Sequence, residues 1–222
     1  MKAILLLSFF SFSAMAWISE PVGNYNRGSL INGECLPSSG IGYTVLQLTR
    51  DVGHIFGTTE MIDMLEATAA EMENRYPGRD RMQVEDLSAR EGGDIDPHGS
   101  HENGLDVDIG YFKNDGQEYV PTRSDPYAPP MVLANGTLSP NFDVARNWEF
   151  VKALHRHGNV QAIFIDTKLK AALVAHARSK GETTKYARVI STMVHVENHQ
   201  DHLHVRLNCP SYARQCRSTN AR

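Results

Sequence analysis

Two stretches decide how this chain folds: Leu105-Asp106-Val107-Asp108-Ile109-Gly110 and His202-Leu203-His204-Val205-Arg206-Leu207. Both alternate apolar and polar residues, the pattern of a strand with one buried face. In the first, Asp106 and Asp108 share a face opposite Leu105, Val107 and Ile109. In the second, His202, His204 and Arg206 share a face opposite Leu203, Val205 and Leu207. If the two strands are neighbours, carboxylates and imidazoles converge on one surface above a common apolar layer.

Each strand is preceded by a segment rich in the same chemistry. His98-Gly99-Ser100-His101-Glu102-Asn103-Gly104 leads into the first, and Gly104 lets the chain turn tightly into it. His195-Val196-Glu197-Asn198-His199-Gln200-Asp201 leads into the second. Six of the ten histidines fall in these two segments and the strands they lead into. Two imidazoles and a carboxylate suit zinc and leave a fourth position for water, whose pKa the metal lowers to about 7. A base must still take the remaining proton, and His202, on the face of His204, is placed to sit beside a metal without binding it. His98 is open between a supporting donor, a ligand of an extra metal and a loop residue. Arg206 is open between a substrate carboxylate and a structural acid. His54, His155, His157 and His176 read as ordinary surface or core residues, and His195 as structural.

The rest of the chain frames these strands. Residues 17–41, rich in Gly, Asn, Ser and Pro, read as an irregular arm, and 43–48 as a short strand. A helix is expected over 59–76, with Ile62, Leu65, Ala69 and Met72 on one face and Pro77-Gly78 ending it. Residues 84–100 read as a loop and 105–112 as a strand. The polar, Pro-rich stretch 113–141 reads as a long surface excursion, of the kind that is usually functional or a lid. Asp143 caps a helix running through His157, with Val144, Trp148, Val151 and Leu154 inward. A strand at 160–165, a helix from Thr167, a third helix at 183–194 and a strand at 202–207 follow. Helices and short strands without regular βαβ alternation predict an α+β fold, an antiparallel sheet flanked by helices, in one domain over 17–222.

Composition bounds the function. Of 222 residues 41% are apolar and 22% charged, an ordinary globular balance, and the net charge of −4 gives no footprint for a nucleic acid. Residues 1–16 have Lys2, an apolar run and Ala14-Met15-Ala16, which together form a secretory signal peptide. The run is too short to span a bilayer and no cysteine follows the cleavage site, so no membrane anchor is expected. The chain is therefore expected to be exported, to the periplasm or the medium. That puts Cys35, Cys209 and Cys216 in an oxidising compartment. Cys209 and Cys216, seven apart across Pro210, favour a small closed loop; a bridge from Cys35 to one of them stays open.

At these residues the sequence resembles a known family. His101-x6-Asp108 followed by His202-x-His204 is the pattern of the LAS zinc peptidases, which include lysostaphin, D-Ala-D-Ala peptidase and sonic hedgehog. Within them, Ser100-His101-Glu102-Asn103-Gly104-Leu105-Asp106-Val107-Asp108-Ile109 and His202-Leu203-His204-Val205-Arg206-Leu207-Asn208-Cys209-Pro210 resemble the two metal motifs of penicillin-insensitive murein endopeptidases. The resemblance implies a hedgehog- and D-Ala-D-Ala peptidase-like fold. It also implies cleavage of D-alanyl–meso-diaminopimelyl cross-links in peptidoglycan, with zinc on His101, Asp108 and His204. His202 would be base or oxyanion stabiliser, and His199 matches a further active-site histidine. Asp201-x-x-His204 resembles the acid-before-histidine arrangement of related carboxypeptidases, which makes Asp201 a rival base, although strand alternation turns it away from His202 if the strand has begun there. Some members hold an extra metal on an Asp-Gly-x-His segment. Here that stretch is Asn135-Gly136-Thr137-Leu138, so one zinc per chain is expected. Cys35 resembles a cysteine whose partner lies in a longer C-terminal tail. The rival readings are a zinc D,D-carboxypeptidase of peptidoglycan and a non-enzymatic hedgehog-like zinc module.

Overall fold

The computed structural model describes residues 18–218, so the expected signal peptide at 1–16 lies outside the described residues. The chain opens with a hairpin of β1 (Glu20–Asn24) and β2 (Arg27–Ile31), then runs through β3 (Glu34–Cys35), β4 (Ser39–Gly40) and β5 (Tyr43–Val45). Helix α1 (Gln47–Val52), β6 (Phe56–Gly57), α2 (Thr59–Arg75), β7 (Met82–Val84) and β8 (Asp106–Gly110) follow. The second half holds α3 (Val144–His157), β9 (Val160–Ile165), α4 (Thr167–Ser179), α5 (Ala187–Thr192), β10 (Met193–His195) and β11 (His202–Leu207).

Seven strands form one sheet in the order β10-β9-β11-β8-β7-β5-β4. The two alternating stretches are neighbours: β11 pairs antiparallel with β8, His204 opposite Asp108 and Arg206 opposite Asp106. The sheet is mixed rather than antiparallel, since β9 pairs parallel with β10 and β5 with β7. Both parallel pairs are joined through helices, α4 and α5 in one case and α1 and α2 in the other, which is the long crossover that parallel neighbours require.

Pleating sorts the side chains. Val107, Ile109, Ile163, Leu203 and Val205 are fully buried and belong to one apolar cluster with Leu65 of α2, Trp148 and Val151 of α3, and Leu169 and Leu173 of α4. Each such side chain contributes about 1.5–3 kcal/mol on burial. Asp106, Asp108 and His204 are thereby turned to the opposite face. The helices begin where capping groups stand: Thr58 accepts from the Met61 N–H, Asp143 from Arg146 and Asp166 from Lys168.

Four expectations are revised. The arm at 17–41 contains the β1–β2 hairpin and carries Tyr25 into the core. The expected strand at 43–48 stops at Val45, because the Leu46 carbonyl already accepts from Arg50 N–H and starts α1. The third helix shrinks to Ala187–Thr192, after which Met193–His195 extends as a strand beside Ile163–Ile165. β7, Met82–Val84, precedes the 84–100 loop and joins the sheet. Cys209 and Cys216 form a disulfide, and Cys35 is free and exposed. Among the described residues no helix is long and apolar enough to cross a membrane.

Candidate metal centre

The centre lies on the polar face of β8 and β11, on the floor of a cleft of about 640 Å³. His98, His101, Asp108, His199, His202 and His204 all line it. Register fixes two of them: His204 stands directly across from Asp108, with Phe164 of β9 on its other flank. His204 sets Nδ1 3.2 Å from Oδ1 of Asp108, and its ring packs 4.6 Å from that of His101.

His101 arrives from the loop before β8. Its φ of 71° is unusual for a residue with a side chain and costs of order 1–3 kcal/mol. Gly104, at φ 74°, completes the turn, and a Cβ there would lie 2.8 Å from Leu30. The His101 N–H donates to Oδ2 of Asp106 at 3.1 Å, and Nδ1 donates to the Leu87 carbonyl at 2.7 Å. That second bond puts the ring proton on Nδ1 and leaves the Nε2 lone pair free, 3.4 Å from Oδ2 of Asp108. His98 is held the same way from behind, Nε2 against Asp86 at 2.9 Å, with Nδ1 3.5 Å from Asp108. Asp86 also meets His54 at 3.3 Å.

His98, His101 and Asp108 each offer one ligand atom, all within 4.8 Å of one another, which makes a possible metal site. His204 adjoins this group through Asp108 and the His101 ring. The donor set fits a metal on a further ground. His101 Nε2 and Asp108 Oδ1 are buried and make no hydrogen bond, a costly state for two polar atoms, and Nδ1 of His204 stands 3.2 Å from that Asp108 oxygen.

The field around the site is dominated by carboxylates and imidazoles in close apposition. Burial alone would push the Asp108 carboxyl up, but His101, His202 and His204 hold it well below the usual carboxylate range. Burial opposes protonation of His204, yet Asp106 and Asp108 raise it. His202 is pushed up to about 10, since Asp108, Asp201 and Glu85 outweigh its burial. His199 goes the other way, lowered by burial and by His202. The His199 carbonyl accepts from the Tyr111 hydroxyl, and its ring stands 4.9 Å from that of His202.

One residue stands differently from its sequence expectation, and another displays one of the two roles left open for it. Asp201 does not point away: its Oδ1 meets Nδ1 of His202 at 2.8 Å. Strand alternation fails there because β11 begins at His202 and Asp201 lies in the preceding bend. Arg206 is buried and gives Nε and Nη2 to the two oxygens of Asp106 at 2.7 and 3.0 Å, under the Tyr25 ring at 4.0 Å. Of its two possible roles, the structural acid is the one displayed.

Sequence reasoning passed over Asp86, Asp106 as a hub, and Glu85. Burial, with Asp108, Asp201 and Asp86 nearby, pushes the Glu85 carboxyl to about 8 against the pull of His202. Asp106 had a signal, since it shares the face of Asp108; Asp86 and Glu85 sat in a stretch read only as loop. From the long 113–141 segment, Tyr127 reaches the cleft wall, and Met131 docks its N–H on the Gln200 carbonyl at 2.6 Å.

The family model for penicillin-insensitive murein endopeptidases matches residues 21–222. Similar proteins carry that same name. The one from Klebsiella pneumoniae (strain 342) is 26% identical over 224 residues, covering 96% of this chain and 78% of the relative. That of Haemophilus influenzae is 28% identical over 204 residues, covering 89% and 66%. That of Escherichia coli (strain SE11) is 25% identical over 224 residues, covering 96% and 78%. With nearly the whole described fold inside the matched range, the chain belongs to the penicillin-insensitive murein endopeptidase family.

Proposed function

We propose that this chain is an exported, zinc-dependent murein endopeptidase that hydrolyses D-alanyl–meso-diaminopimelyl cross-links between peptidoglycan stems. The observation that carries the reading is the pair of buried, unbonded polar atoms on His101 and Asp108, with Nδ1 of His204 3.2 Å from that Asp108 oxygen, at the floor of an open cleft with His202 beside them. Two imidazoles and one carboxylate match a catalytic zinc site with an open position. Held there, zinc supplies a Lewis acid for the scissile carbonyl, lowers the pKa of a water to about 7, and offsets the carboxylate field that raises His202.

The proton work falls to the protein. Asp201 holds Nδ1 of His202, leaving Nε2, 3.8 Å from Oδ1 of Asp108, to take the proton of the attacking water. The same nitrogen then returns it to the leaving amine. With its carboxylate engaged by His202, Asp201 orients the base rather than replacing it. Between the two proton steps protonated His202 stabilises the tetrahedral oxyanion, with the His199 ring packed 4.9 Å from its own. His98, backed by Asp86, supports Asp108. The substrate class rests on the names of the relatives, and export on the signal-like residues 1–16; the Cys209–Cys216 bridge suits an oxidising compartment.

Metal analysis paired with digestion of isolated sacculi and purified dimeric muropeptide tests the reading. The expected result is one zinc per chain, soluble fragments from sacculi, and monomers from the dimer. Folded protein with no zinc and no release of fragments overturns it. Loss of terminal D-alanine alone, with dimers intact, would make the chain a D,D-carboxypeptidase.

A further inference from the structure

We propose that Asp106 is the positioning residue of the metal centre: it holds His204 from behind, so that Nδ1 is the nitrogen offered to the metal, and it pins the backbone of His101. This rests on the zinc reading above and concerns how the ligands are set. The Asp106 carboxylate is fully buried one step behind Asp108 on β8. Its Oδ1 accepts from Nε of Arg206 at 2.7 Å and lies 3.0 Å from Nε2 of His204. Its Oδ2 accepts from Nη2 of Arg206 at 3.0 Å and from the His101 N–H at 3.1 Å.

The His204 imidazole therefore stands between two carboxylates of one strand, Nδ1 toward Asp108 and Nε2 toward Asp106. Nε2 is within contact distance of Asp106 but outside hydrogen-bond alignment, which leaves it among the buried atoms without a partner. A carboxylate behind a ligating imidazole fixes its tautomer and raises its basicity. The hold on His101 matters for a second reason: this residue sits at φ 71°, and the Asp106 oxygen is what its N–H grips in that conformation. One buried carboxylate thus touches both histidines assigned to the zinc. Arg206, clamped between Tyr25 at 4.0 Å and Phe164 at 4.9 Å, holds that carboxylate in place with its two hydrogen bonds.

The simpler alternative is that Asp106 only neutralises Arg206. Zinc affinity of the full chain, measured by chelator competition for the wild type, Asp106→Asn and Arg206→Gln, separates the two. Asp106→Asn is expected to weaken zinc binding about 10–100-fold. Arg206→Gln is expected to lower thermal stability and to weaken zinc binding clearly less than Asp106→Asn does, since the carboxylate remains. Unchanged affinity in Asp106→Asn, or an equal loss in both variants, overturns the proposal. Should Asp106→Asn fail to fold, nitrogen NMR of histidine-labelled wild type with zinc decides the matter: a proton on Nε2 of His204 is expected, and a proton on Nδ1 overturns the assignment. A wild type that binds no zinc sinks the endopeptidase reading itself, whereas zinc binding that Asp106→Asn does not weaken sinks only this inference.

Discussion

His202 and His204 are two residues apart on one strand and face different surroundings. His204 is buried between Asp106 and Asp108, whereas His202 is less enclosed and leans on Asp201. Removing the second should leave the metal in place. His202→Ala is expected to lower turnover of dimeric muropeptide about 10²–10⁴-fold while zinc content stays at the wild-type level. A variant that loses zinc together with activity would move His202 into the ligand set. At this scale the sequence was most legible where alternation governs, because a strand's period of two leaves no freedom about which side His204 or Asp108 takes. It was least legible at Asp201, one position outside the strand, where the bend and not the pleat sets direction.

Helices α2 and α3 are tied together on the surface by Glu71. Its carboxylate accepts from Arg156, from Arg75 at 3.1 Å and from Nε2 of His157 at 3.0 Å. The Arg156 bond, then those of His157 and Arg75, hold its pKa down to about 2 against partial burial. A depressed carboxylate contributes stability above its ordinary value of 4.5 and loses it as the pH falls toward 2. Because the network is partly exposed, about 1 kcal/mol is expected from it, or about 2–4 °C in melting temperature. Thermal unfolding followed from pH 6 down to about 2 should show the wild type and Glu71→Gln converging as the pH drops. Curves that stay parallel would remove the network from the stability of the helix pair. The long helices were readable because their apolar faces repeat over many residues and begin at Thr58, Asp143 and Asp166 caps. The three-residue strand Met193–His195 was not, since its partner Ile163–Ile165 is distant in sequence and the local composition also suits a helix turn. The β1–β2 hairpin was hidden by the same Gly and Asn residues that make its turn possible.

For the whole molecule, metal and fold are expected to be coupled through mass action. Zinc at about 100 times its dissociation constant contributes about 2.7 kcal/mol, which for a chain of this size raises the melting temperature by about 5–10 °C. Chelator-treated protein should lose that increment and regain it with added zinc; a melting temperature indifferent to zinc would detach the centre from stability. The antiparallel expectation failed at this scale, because strand direction across a sheet depends on crossovers that no local pattern records. The place of β11, inserted between β9 and β8, carries a further consequence for timing. His98, His101 and Asp108 are laid down in the first half of the chain, but His204 and His202 come only with this late strand. Tyr25 meets the carbonyl of Leu207 across 182 positions, so the floor closes only when the two ends of the described chain meet. On the proposed assignment, a nascent or half-folded chain would hold an incomplete ligand set and no proton carrier. Cutting would then be deferred until folding is finished, and a hydrolase of the wall would stay inert while it is being made.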